Sequence, residues 1–133
     1  MMKIKRLSLM LLVVSLSVWF LSAAVFAQEI TIGFAMKTLT NPFFIMMEEG
    51  VRRAEKELGV RVIVQAAEEE TSIEQLVGIV ENMITRSDID AICVTPSGST
   101  EIIPAFIKAR DANKPIIDVD VELDQEAAKQ AGL

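Results

Sequence analysis

The sequence predicts an α/β fold, a parallel sheet of about four strands with flanking helices. Three observations predict it. From Ile30 onward, short apolar or β-branched runs alternate with segments of helical periodicity. The run Ala91 to Thr95 is apolar almost without a break, as suits a parallel strand buried on both faces. No linker is long enough to separate two domains, so right-handed crossovers within one sheet follow as the default.

The chain has 133 residues and opens on a targeting pattern. Lys3, Lys5 and Arg6 form a positive start, Leu7 to Leu21 is apolar, and Ser22 to Ala27 is rich in small residues. Val25 and Ala27 fit the −3 and −1 positions of a cut before Gln28. The stretch Leu7 to Phe26 is also long enough for an uncleaved membrane anchor. The small residues before the polar Gln28 favour cleavage. The reading is therefore a signal peptide over 1–27 and a mature region over 28–133.

Each element of the mature region has a local reason. Ile30 to Met36 reads as strand one. Asn41 to Leu58 reads as helix one, with Asn41 as N-cap, Pro42 at the first helical position and Gly59 just past the end. Phe43, Met47, Val51, Ala54 and Leu58 recur at spacings that place them on one face. Val60 to Ala66 is strand two. Thr71 and Glu74 have capping-box spacing, and helix two runs to about Arg86 with Ile73, Leu76, Val77, Val80 and Ile84 facing inward. Ala91 to Thr95 is strand three. Helix three starts near Ser99 or Thr100 and reaches about Asn113, with Pro104 in or just beyond its first turn. Pro115 to Val119 is strand four. Asp124 to Leu133 starts another helix or forms a loose tail.

Composition excludes several function classes. Without Lys3, Lys5 and Arg6, the 13 cations fall to 10 against 19 acids, a net charge of −9. Such a surface repels nucleic acid and anionic lipid. Cys93 is the single cysteine and sits in an apolar run, so it reads as a small buried hydrophobe. Histidine is absent, which removes the commonest general base and metal ligand. No metal spacing or nucleophile elbow occurs, and no cofactor is implied. A phosphoacceptor receiver domain needs acids after strand one and at the end of strand three. Met36-Lys37 and Thr95-Pro96 stand there instead.

In a parallel sheet, ligands bind at the carboxyl ends of the strands. Four loops meet at that edge: Lys37 to Asn41, Glu68 to Thr71, Thr95 to Ser99, and Asp120 to Glu122. The segment "ITIGFAMKTLTNPFF" feeds the first of them. Helical periodicity buries one of two adjacent aromatics, so either Phe43 or Phe44 faces the cleft. An aromatic face beside carboxylate and amide groups suits a sugar, whose C–H face stacks while its hydroxyls bond. Core packing for the phenylalanines and plain capping for Asn41 are the competing readings. The acidic run Glu68 to Glu70 reads as a solvated loop or helix entry.

The segments "TLTNPFF", "GVRRAEKELGV", "DAICVTPSGS" and "ANKPIIDVD", in this order and spacing, resemble the amino-terminal lobe of periplasmic sugar-binding proteins of the ribose-binding type. These are the substrate-binding components of ABC importers. The resemblance covers Gln28 to about Leu123. It implies an incomplete first lobe of a type I periplasmic binding protein fold, a small-molecule carbohydrate as ligand and ABC permease subunits as partners. It also implies ligand contacts at Asn41, Phe43, Phe44 and Asp120. Lys37 and Ser97 join them as candidates, Lys37 either touching ligand or bridging to an acidic neighbour.

Two positions depart from the family pattern. Val121 stands where ribose-binding members usually have Arg, which removes a bidentate donor. Asp118 replaces an apolar residue or Thr late in strand four. The family has two lobes closing on ligand, and the sequence ends after strand four. The expectation is a truncated chain with a free edge at that strand and little sugar affinity of its own. The alternative is an extracytoplasmic sensory domain feeding a membrane receptor.

Overall fold

Strand order in the sheet is β2-β1-β3-β4, with every pairing parallel. The strands are β1 (Thr31–Met36), β2 (Arg61–Ala66), β3 (Ala91–Val94) and β4 (Ile116–Asp118). The helices are α1 (Pro42–Leu58), α2 (Ile73–Thr85), α3 (Ile103–Asp111) and α4 (Gln125–Gln130). The computed structural model describes residues 29–133. The signal peptide read over 1–27 lies outside them.

Two apolar layers hold the sheet. On one face, α2 and α3 pack Leu76, Val80, Met83, Ile102, Ala105 and Phe106 against Ile92 and Val94 of β3. On the other, α1 lays Phe44, Met47 and Val51 over Phe34, Met36 and Val62. Gly33 is required by this packing. A Cβ there would stand 2.8 Å from Met83 Sδ and 3.2 Å from Ile89 Cδ1.

The α1 start forms as the sequence dictates. Asn41 Oδ1 accepts the Phe43 N–H at 3.0 Å, and Pro42 opens the helix without a wasted donor. Gly59 ends it at φ 65. The apolar stripe, however, runs from Phe44 rather than Phe43, and Leu58 is 72% exposed at the edge of a hollow beneath the helix. That hollow of about 160 Å³ is also lined by Ile32, Val60 and Cys93. Cys93 is therefore half-buried rather than enclosed. Burial still pushes its thiol pKa up, which keeps it protonated and unreactive.

Two helix starts differ from expectation. The Thr71–Glu74 capping box does not form. Ser72 is the N-cap without a side-chain bond, and the turn closes through Ile73 N–H to the Thr71 carbonyl at 2.9 Å. Helix α3 begins at Ile103, not at Ser99 or Thr100. A helix starting at Thr100 would need an N–H from Pro104, which has none. The first full helical bond is from Phe106 N–H to the Ile102 carbonyl, at 3.3 Å. The same helix ends at Asp111 because Asn113 turns left-handed at φ 53. Lys114 N–H then bonds back to the Ala109 carbonyl at 2.8 Å and Asn113 N–H to the Arg110 carbonyl at 2.9 Å, a Schellman closure.

Strand β4 pairs on one side only among the described residues, as expected of a free edge. The opposite edge is partly guarded. Arg52 of α1 donates to the outward Val62 carbonyl at 2.9 Å, and Glu55 accepts the Val62 N–H at 2.6 Å. Side chains thereby occupy groups that another strand would need. The Val62 N–H is the main reason that the Glu55 carboxyl sits below its ordinary pKa.

At the amino end of β3, Arg86 grips Asp88 with two bonds of 2.9 and 2.7 Å. That hydrogen bonding holds the Asp88 carboxyl at about 2, below its ordinary value near 3.8. A carboxyl depressed by folding stabilises the chain above its unfolded pKa and loses that contribution as pH falls through the folded one. The stabilising effect of the pair is therefore expected to fade between about pH 4 and pH 2. Urea midpoints measured across this window should fall less steeply for Asp88→Asn than for the parent chain. Equal slopes would remove the pair from the acid response.

Candidate functional site

The carboxyl ends of β1, β3 and β4 present one connected group of side chains. Lys37 follows β1 directly. Its N–H is accepted by Thr95 Oγ1 at 2.8 Å, which locks the turn after β1 to the turn after β3. Its side chain is only 13% exposed, and Nζ donates to Asp120 Oδ2 at 3.0 Å. The same ammonium lies 5.0 Å from the centroid of the Phe44 ring. This is cation–π range and orients the charge without consuming its donors.

The two phenylalanines divide their labour. Phe44 is 2% exposed and belongs to the core beneath α1, whereas Phe43 is 48% exposed. Their rings meet edge to face, with centroids 5.0 Å apart and planes at 90°. The buried ring thus fixes the exposed one at the rim. Of the two adjacent aromatics, Phe43 is the exposed one and Phe44 the buried one against which it rests.

Asn41 is engaged on both sides of its amide. Oδ1 caps α1, while Nδ2 donates to Glu70 Oε1 at 2.7 Å. Glu70 belongs to the acidic run that reads from sequence as merely solvated. In the fold it ties the β2–α2 loop to the β1–α1 loop. Thr38 makes a second tie. It is fully buried, and its hydroxyl bonds to Thr40 Oγ1 at 3.0 Å and to the Glu68 carbonyl at 3.3 Å.

Thr38, Thr95 and Glu70 are the rim residues that sequence reasoning missed. Their partners lie far along the chain, so no local pattern announces them. The one available signal was a polar Thr within two residues of the end of an apolar strand, at both Met36-Lys37-Thr38 and Val94-Thr95.

Asp120 sits at φ 75, one of two non-glycine residues with positive φ among those described. This turns the chain just past β4 and brings the carboxylate to Lys37. Ser97 lies on the β3–α3 loop, but its hydroxyl is buried with no hydrogen-bond partner. The structure therefore joins Lys37, Phe43, Phe44 and Asp120 into one contact network, with Asn41 at the foot of α1. Ser97 stays outside their hydrogen bonding.

The arrangement offers an exposed aromatic ring, an ammonium and, among the described residues, a carboxylate Oδ1 and one Asn41 amide hydrogen without partners. It suits a neutral polyhydroxylated ring better than a metal. Among the described residues no group of three His, Cys, Asp or Glu could hold one. A wider groove of about 680 Å³ runs beside the rim, lined by Thr71 to Gln75 and Glu101. It has no aromatic wall and touches none of the candidate residues.

Comparison with known proteins agrees with this fold. The family model described as periplasmic binding protein domain matches residues 32–132. The D-ribose/D-allose-binding protein of Pseudomonas aeruginosa is 33% identical over 106 residues, covering 77% of this chain and 33% of that protein. The ribose import binding protein RbsB of Bacillus subtilis is 31% identical over 98 residues, covering 74% of this chain and 31% of that protein. Among solved structures, an ABC transporter periplasmic solute-binding protein from Actinobacillus succinogenes 130z, with bound D-allose, superposes with a TM-score of 0.75. It is 52% identical, and the match covers 79% of this chain and 36% of that one. The chain thus spans about a third of the length of the curated relatives it matches. With the parallel sheet and the family match together, the chain belongs to the periplasmic binding protein domain family, as a partial chain of the ribose-binding type.

Proposed function

We propose that this chain forms part of the first lobe of an exported sugar-binding protein that delivers a monosaccharide to an ABC permease. Binding is noncovalent, and no catalytic step is involved. The Lys37–Asp120 pair, joined through the buried Phe44 ring to the exposed Phe43, carries this reading. It places a donor, an acceptor and a stacking face within one rim, as a pyranose ring requires. The resemblance to the D-allose-bound relative supports a hexose of that class. Val121 favours it over ribose held in the ribose-binding manner, because an Arg at that position would supply a bidentate donor and Val supplies none.

Closure of two lobes around the sugar is the mechanism. A ligand touching both lobes stabilises the closed form, since only that form completes the contacts. The permease then reads the closed state. The segment 1–27 directs export and is removed before Gln28.

Calorimetry tests the proposal. A chimaera in which residues 32–132 replace the matching segment of the D-allose-bound relative supplies the second wall. It is expected to bind D-allose at micromolar concentration or tighter, whereas the 133-residue chain alone binds weakly or not at all. A folded chimaera that binds no pentose or hexose defeats the reading.

A further inference from the structure

We infer that Asp118 is a positioning residue that fixes the β4–α4 loop and thereby presents Asp120 at the rim. The inference rests on the sugar-binding reading for its purpose, but its geometry stands apart from it. Asp118 is the last residue of β4 and pairs in register with Val94. Register places it on the face that Ile92, Val94 and Ile116 give to the core beneath α2 and α3. An apolar residue would be expected there. Instead Asp118 Oδ2 accepts the Leu123 N–H at 2.9 Å.

That bond closes a five-residue loop. The sheet ladder ends at Val119, whose N–H bonds to the Val94 carbonyl at 2.9 Å. Beyond it, Val121 N–H returns only to the Val119 carbonyl at 3.0 Å, within the loop itself. Leu123 packs against the core, and Asp124 N–H reaches the Ser99 carbonyl at 3.0 Å before capping α4.

Between these anchors lies Asp120 at φ 75, a conformation uncommon outside glycine that aspartate adopts more readily than most residues and that the loop's anchors hold in place. Among the described residues, the Asp118 carboxylate is the one side chain that hydrogen-bonds the far side of the loop back to β4. Its charge shortens and strengthens the bond to a backbone N–H. The outcome is an Asp120 whose Oδ2 meets Lys37 while Oδ1 makes no hydrogen bond among the described residues.

Nuclear magnetic resonance on the full chain tests this with three readouts. These are the exchange rate of the Leu123 amide, the intraresidue HN–Hα NOE of Asp120, which is strong at its positive φ, and the Lys37–Asp120 side-chain contact. In Asp118→Ala, Leu123 exchange is expected to rise at least tenfold, and the strong Asp120 intraresidue NOE and the Lys37 contact to be lost. The Val80 and Ile92 methyl signals stay in place. Asp118→Asn keeps an acceptor oxygen and restores all three readouts. An unchanged Asp120 in Asp118→Ala overturns the inference. So does a loss of core methyl dispersion in both variants, which would make Asp118 a residue of general folding. No sugar enters the measurement, so a folded chimaera that binds none defeats the proposed function and leaves this inference standing.

Discussion

Phe44→Ala is expected to lower the stability of the chain by about 3–5 kcal/mol, while Phe43→Ala costs about 1 kcal/mol. The two side chains are neighbours and chemically identical, so the difference isolates burial. Phe44 fills the layer between α1 and the β1–β2 half of the sheet, against Phe34, Met36 and Val62. Its removal leaves a ring-sized void that the single helix on that face cannot close. Phe43 loses only an edge-to-face contact and an exposed ring. Domains of this size are stable by about 5–15 kcal/mol in total, so the Phe44 variant stands near unfolding under ordinary conditions. Urea denaturation of both variants settles the order. Equal losses would sink the division between support and contact face.

The same pair marks how far the sequence could be read. Two adjacent aromatics in a helix cannot share one face, so one buried and one exposed ring was legible. Which ring goes inside was not. Counting from Phe43 gave a regular stripe through Leu58, yet the stripe that packs begins at Phe44. The sheet, not the helix, sets the rotation of α1.

Features fixed by neighbours in the chain were readable. Asn41-Pro42 opened α1, Gly59 closed it, and each strand was found within a residue or two. Features fixed by distant partners were not. Thr95 earns its place at the rim through the Lys37 backbone, and Glu70 through the Asn41 amide. The Thr71–Glu74 spacing shows the converse. A local pattern was present, but the turn found its bonds elsewhere.

Lys37 and Asp120 stand 83 residues apart and were named separately as candidates, one as an alternative bridge and one as an acceptor. The structure makes them a single unit. Lys37→Met and Asp120→Asn are each expected to weaken sugar binding by the chimaera about ten- to a hundredfold, the loss of one hydrogen bond to a charged group. Stability changes by no more than about 1 kcal/mol, because the pair lies at a partly exposed rim. The two side chains hold one another in place, so removing either disorders the other. The double variant should then bind about as weakly as the worse single variant, a coupling of the kind found between contacting residues. Calorimetry on the four proteins reads it directly. Additive losses would mean that each side chain meets the ligand independently, and the pair would then be two contacts that happen to touch.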